Sequence, residues 1–188
     1  LWFGWYGFNG GSTLGLAPDA YARDAARVVV TTTISAASGG ITVILMEKLL
    51  GDKTWSVGAC CNGILGGLVS ITAGCSVMYP VMAMVSGLIG GMVYFGASKA
   101  VLNVFKIDDP LDAFAVHGAC GFWGVLAAGM FAAKDYGYAS AAGQGGFFFG
   151  GDFNSTGAAL ALLGAEIAWV TTMSLAMFLP LKALGILR

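Results

Sequence analysis

Charge is scarce in this chain. Of 188 residues only 10% are Asp, Glu, Lys or Arg, against roughly 25% in an ordinary soluble domain. With 57% hydrophobic residues the chain cannot solvate its own surface in water, and a bilayer is its natural solvent. A basic excess is missing too: at a formal net charge of -1 nothing stands ready to neutralise phosphates, which excludes nucleic acid as a partner. Histidine occurs once. The four cysteines (Cys60, Cys61, Cys75, Cys120) lie in or beside apolar stretches without Cys-x-x-Cys spacing, so no metal site, disulfide framework or cofactor is expected. Ten-residue segments of strand-like alternation, the mark of a membrane barrel, are also absent. The chain opens at Leu1, Trp2 and Phe3 with no initiator Met, basic n-region or small-residue cleavage site. That start is not a signal peptide; it reads as the middle of an apolar helix and hence as part of a longer polypeptide.

What is present are long apolar runs. About 20 such residues cross roughly 30 Å of hydrocarbon, and the runs fall at about 1–16, 26–47, 56–76, 79–100, 110–133 and 157–182. The expected fold is an all-α membrane protein, a polytopic transmembrane helix bundle forming a single domain over residues 1–188. Helix breakers or charge mark the breaks at Ala17-Pro18-Asp19, Gly51-Asp52-Lys53, the turn before Pro80, and Asp108-Asp109-Pro110. The longest break, Lys134 to Thr156, is glycine-rich among aromatics and reads as a surface loop. Alternating the spans puts Lys48, Lys53, Lys99, Lys106, Lys182 and Arg188 on one side, against Arg23, Arg27 and Lys134 on the other. The positive-inside rule makes the first side cytoplasmic.

Thirty glycines accompany this hydrophobicity. The small-xxx-small pairs Gly7 with Gly11, Gly63 with Gly67 and Gly87 with Gly91 predict close helix contacts.

Ionisable groups inside a span are costly and face a cavity or a partner. Three in the predicted spans carry the argument: Asp112, His117 and Glu166. Asp109-Pro110-Leu111-Asp112 has the form of a helix start, with Asp109 as cap, Pro110 first in the helix and Asp112 in the first turn, where the dipole favours a carboxylate. Structure alone accounts for Asp112, which leaves room for bracing neighbouring helices or tuning pore electrostatics. His117 lies roughly 10 Å into its span at 1.5 Å per residue. A neutral imidazole donates from one nitrogen and accepts at the other, which suits either a path for a small solute or proton, or a bond to a neighbouring helix. Glu166, well inside the last span, reads first as structural.

The run Gly4-Trp5-Tyr6-Gly7-Phe8-Asn9-Gly10-Gly11-Ser12 resembles the segment of ammonium transporters (the Amt/Mep/Rh family) that ends at the outer pore mouth. Asp108-Asp109-Pro110-Leu111-Asp112-Ala113-Phe114-Ala115-Val116-His117-Gly118-Ala119-Cys120-Gly121 is similar to the family's signature around its second pore histidine. Gly66 to Cys75 resembles the segment between them. The resemblance implies trimers, homotrimeric or mixed with relatives, whose subunits have eleven transmembrane helices and one conduction path each. This chain would supply about the sixth to the eleventh, the amino-terminal half lying elsewhere in the same polypeptide. By the same resemblance Phe8 is one of two stacked gate phenylalanines, Ser12 helps bind ammonium at the outer mouth, His117 is the second of two pore histidines, Thr72 stands near the path and Asp112 fills the motif's acidic position. The substrate would be ammonium or ammonia, the compartment the plasma membrane.

Three rivals carry their own marks. An electroneutral gas channel or an ammonium sensor would share the fold, and an isolated fragment would not function. A hydrolase built on Ser12, His117 and Asp112 lacks Gly-x-Ser-x-Gly and would need residues from opposite ends of the bundle, so no enzyme is expected.

Overall fold

A computed structural model of the protein describes residues 1–17, 19–136 and 143–186. Among these the chain is all-helical, with a single isolated antiparallel bridge between Met78 and Ala132 in place of any strand. The helices are α1 (Trp2–Gly11), α2 (Asp19–Leu49), α3 (Val57–Thr72), α4 (Pro80–Asn103), a π-helical segment Phe114–Ala119 continuing into α5 (Cys120–Phe131), and α6 (Asn154–Ala183). Four of them are long and apolar enough to cross a membrane: α2, α4, the continuous Phe114–Phe131 helix and α6. Val57–Thr72 is a shorter apolar helix.

Two differences from the sequence reading have simple causes. Helix α1 stops at Gly11, and Ser12, Thr13 and Leu14 fold back onto its last carbonyls. Helix α2 starts at Asp19, earlier than its apolar run, because polar residues can extend a helix beyond the hydrocarbon; there Arg27 pairs with Asp24 at 3.0 Å, one turn apart. Pro18 and Arg188, on which the break and charge arguments drew, lie outside the described residues.

Polar contacts gather the breaks at two ends. At one end Tyr79 donates to Asp135 Oδ1 at 2.6 Å, the Arg27 guanidinium sits 3.7 Å over the Tyr136 ring, and Ala133 N–H reaches Val77 O at 2.7 Å. The glycine-rich loop folds back over this end, with Gly146 N–H on Ala132 O at 2.7 Å and the Phe148 ring stacked on Phe131. At the other end Glu47, Asp52, Asn62, Ser98, Lys99 and Asp112 surround one polar pocket of about 280 Å³. Glu47 is buried there, paired with Lys99 at 3.6 Å and accepting the Asp52 N–H.

Between the two ends α2 is the central post. Its Ser35, Ser38, Gly39 and Thr42 form one face, and α3 and α4 lie against it through glycine. A Cβ on Gly39 would sit 2.9 Å from Gly67 Cα, and one on Gly91 2.9 Å from Gly39 O. A Cβ on Gly87 would meet Ser35 O and the Ser38 hydroxyl inside contact distance. The hydroxyls turn inward to carbonyls, Ser35 donating to Gly67 O at 2.7 Å and Thr42 to Ser38 O at 2.8 Å, so no polar group is stranded in this dry contact. Gly63 with Gly67 and Gly87 with Gly91 thus stand at close helix contacts. Gly7 and Gly11 do not: among the described residues a Cβ on either meets nothing within 4 Å.

Gly67→Ala is expected to lower stability by about 1–3 kcal/mol, because the added methyl runs into the Ser35 backbone, which cannot rotate away. Gly96→Ala, in open space on α4, should be neutral or stabilise by up to about 1 kcal/mol through helix propensity. Unfolding midpoints in mixed micelles compare the two; equal midpoints would refute the packing account.

The start of the fifth span differs most from expectation. Pro110 does not open the helix and Asp112 is not in its first turn. Residues 110 and 111 form a turn, Asp112 takes a left-handed conformation at φ 53°, and the helical run begins only beyond it. Asp109 does cap, from further out: its two carboxylate oxygens accept the N–H groups of Ala113 and Phe114, each at 2.9 Å. Asp is among the few residues that tolerate this left-handed region. The turn frees the Asp112 carboxylate to point away from its own helix.

Candidate functional site

At the end of α1 an aromatic cluster surrounds the positions singled out in the first motif. Phe8 is 61% exposed and its ring centre lies 5.6 Å from that of Trp5, tilted by 58°. Ser12, one turn beyond Phe8 and also exposed, donates to Phe8 O at 2.8 Å. Trp5 Nε1 donates to Thr72 Oγ1 at 3.0 Å, and Thr72 in turn donates to Leu68 O at 2.8 Å. Trp5 therefore joins Phe8, Ser12 and Thr72 into one cluster. The indole's link to α3 lay beyond sequence reasoning, since Thr72 is 67 residues away.

Polar bonds carry much of the hold on α1. Tyr6 and Thr33 share a hydrogen bond of 2.8 Å, and Asn9 Nδ2 donates to Thr32 at 2.9 Å. Asn9 is the buried residue of α1, yet its Oδ1, like Trp2 Nε1 two turns earlier, is buried without a partner among the described residues.

Asp112 belongs to the opposite end. Its carboxylate accepts three hydrogen bonds, from Ser98 Oγ at 2.7 Å, Tyr94 OH at 2.8 Å and Asn62 Nδ2 at 3.1 Å. Asn62 Nδ2 also reaches the Tyr94 oxygen at 3.1 Å. One carboxylate thus ties the entrance of the π-helical segment to α3 and α4. Ser12 is near the start of α2 and Asp112 near its end, so a Ser12, His117 and Asp112 triad does not assemble.

His117 sits within the π-helical turn Phe114–Ala119, a widened geometry common at functional sites. Six residues are too few for periodicity to distinguish π from α, so nothing in the sequence announced it. Gly118 helps: a side chain there would strike the Phe114 ring at 2.9 Å. The imidazole is exposed to an open cleft of about 720 Å³ whose walls include Phe114, Phe122, Val125 and Leu163. Glu166 of α6 lines the same cleft. The lining is otherwise almost wholly apolar, and the two imidazole nitrogens are the hydrogen-bonding groups that its π-helical turn brings to it.

The whole chain, residues 1–188, matches the family model described as the Ammonium Transporter Family. Ammonium transporter 1 member 2 of Oryza sativa subsp. japonica is 39% identical over 199 residues, covering 100% of this chain and 40% of that protein. Ammonium transporter 1 member 1 of Solanum lycopersicum is 36% identical over 200 residues, covering 100% and 41%. Among solved structures, Saccharomyces cerevisiae Mep2 superposes with a TM-score of 0.87 at 29% identity over 97% of this chain and 40% of its own. A protein named Sensor Amt Protein gives 0.85 at 34% identity over 100% and 43%. The chain spans about two fifths of the length of the curated relatives it matches. With the match running from the first residue to the last, this multi-pass helical membrane chain belongs to the ammonium transporter family.

Proposed function

We propose that the chain forms the carboxyl-terminal part of a path that carries ammonium or ammonia across a membrane. The observation that carries the reading is His117, a titratable imidazole opening into an apolar cleft between helices long enough to span the bilayer. An ammonium ion stripped of water without replacement ligands costs many kcal/mol in such surroundings. The ion therefore gives up its proton near the outer mouth, and ammonia and the proton pass separately. Phe8 and Ser12 are the recruitment and gate residues. Exposed aromatic faces attract the cation before it is stripped, and the Ser12 hydroxyl offers it an oxygen. Thr72 acts beside the path by holding Trp5 against Phe8. His117 takes up the proton at one nitrogen and releases it from the other. Asp112 fixes the segment that carries His117.

The functional unit includes the preceding helices of the same polypeptide and is a trimer, homotrimeric or mixed with relatives, in the plasma membrane with the Lys99 and Lys106 end inward. The test is ammonium-evoked current recorded together with uptake of a labelled analogue, in cells lacking their own ammonium transporters. Saturable uptake with current supports charge-coupled transport. Uptake without current makes the protein an electroneutral channel. The likeness to a protein named as a sensor favours a second reading, ammonium sensing with little flux; a well-folded protein that binds ammonium and shows neither uptake nor current establishes it.

A further inference from the structure

Between Asp112 and α5 the chain makes a wider turn than an α-helix would, and both ends of that turn are anchored. Downstream the phase of α5 is locked: Cys120 Sγ donates to Gly90 O at 3.4 Å, Trp123 Nε1 donates to Ser86 O at 3.0 Å, and a Cβ on Gly124 would stand 2.8 Å from Ser70 O. Upstream, Asp112 is held by Ser98, Tyr94 and Asn62. All of these partners belong to α3 and α4, so both anchors are set within this chain.

The wide turn decides which side chains pack. Along an α-helix the positions three and four before a buried residue share its face. Cys120, Gly124 and Ala127 lie on one buried stripe of α5. Continued backwards from Cys120 at those steps, the stripe would take in Val116 and His117, and then Ala113. The structure buries Ala115 and Val116 instead and leaves Ala113 and His117 exposed. Ala115 is five positions before Cys120, and the Cys120 N–H reaches back to Ala115 O, which is the π step. Ala115 and Val116 pack with Val43, Tyr94 and Cys120 in one apolar cluster. An imidazole there would bury two nitrogens beside a phenol already bonded to Asp112, a costly arrangement.

We propose that the π turn is the device that takes His117 off the packed seam, with Ala115 as the positioning residue that fills the place there. The ring is thereby aimed away from α3 and α4, where a solute can reach it. Its aim is counted from Cys120, so a loosened Asp112 leaves it unchanged. This assignment rests on the transport reading above.

The experiment uses the full-length parent polypeptide and measures uptake and current per folded protein in the membrane. Deleting Ala115 restores the four-residue step and draws His117 onto the seam. Uptake should then fall by about a hundredfold, the scale that a small misplacement can cost, with no further loss when His117 is also alanine. Ala115→Ser stays small and should keep the parent rate. Unfolding midpoints test the packing even if the deletion does not fold: Ala115→Gln buries an amide and should melt lower than Ala113→Gln, whereas a continuous α-helix predicts the reverse order. Parent-like uptake in the folded deletion variant, a loss that simply adds to that of His117→Ala, or equal or reversed midpoints for the two glutamine variants overturn the assignment. A parent that carries no ammonium removes the transport reading and this role together; a transporting parent indifferent to the deletion removes this one alone.

Discussion

His117→Ala in the full-length parent is expected to reduce ammonium-evoked current to background. Uptake of the labelled analogue should fall by at least about a hundredfold if the ring is a proton-transfer group, the scale typical of positioned acid-base side chains. The imidazole is the one titratable group of its π-helical turn and opens directly into the apolar cleft. On the transport reading proposed above, alanine leaves an apolar wall there with nothing to take a proton. Charge movement should vanish first, because neutral ammonia can still partition through an apolar passage while the proton has lost its carrier. His117→Gln is the informative companion, since an amide hydrogen-bonds but does not titrate over the physiological range. It should preserve more uptake than alanine and no more current. Undiminished current in His117→Ala, with the protein at normal abundance in the membrane, would remove the histidine from the path.

The second large effect belongs to Asp112, and it concerns the fold. Asp112→Ala strips one acceptor from three donors at once: the Ser98 hydroxyl, the Tyr94 phenol and the Asn62 amide. Each donor left unsatisfied costs about 1–3 kcal/mol when buried, and the site is only part-buried, so a total near 3 kcal/mol is expected. A further penalty arises because alanine replaces aspartate at φ 53°, a conformation that aspartate accepts better. Asp112→Asn keeps the left-handed turn and one acceptor oxygen, and should lose less than half as much. Unfolding midpoints of the purified protein in mixed micelles read both. Destabilisation of the asparagine variant equal to that of alanine would show that the charge, rather than the geometry of three hydrogen bonds, holds the segment. Transport should fall in proportion to folded protein in either variant, which separates this residue from His117.

Much of the architecture was legible because a bilayer imposes a simple length rule. The apolar runs around 26–47 and 157–182 lie inside α2 and α6, and the run 79–100 lies inside α4 but for Tyr79, its N-cap. Where helices continue past the hydrocarbon, as α2 does through Arg23 and Asp24, hydropathy goes silent although hydrogen bonding does not. The turn at Asp112 was misread for a different reason. Asp, Pro and Asp at those spacings do describe a helix start, but the start chosen depends on Asn62 and Ser98, residues 50 and 14 positions away. No local window contains that information.

The candidate site was legible in its residues more than in its geometry. His117 stood out by being the only histidine, whereas the π-helical turn that presents it leaves no trace in the residue pattern. Phe8, Ser12 and Thr72 could be named, but the bond by which Trp5 links them could not be read. Glu166 was visible as an oddity.

The glycine and serine contacts around α2 also bear on how the molecule can move. Backbones that touch with nothing longer than a hydroxyl between them leave no compliant layer, and close-packed interiors transmit displacement instead of absorbing it. Helices α2, α3 and α4 therefore behave as a single stiff strut, and a transport cycle that rocked one of them against another would have to prise open that contact at every turnover. For the path proposed above, the consequence is a wall that keeps its shape while a solute goes by.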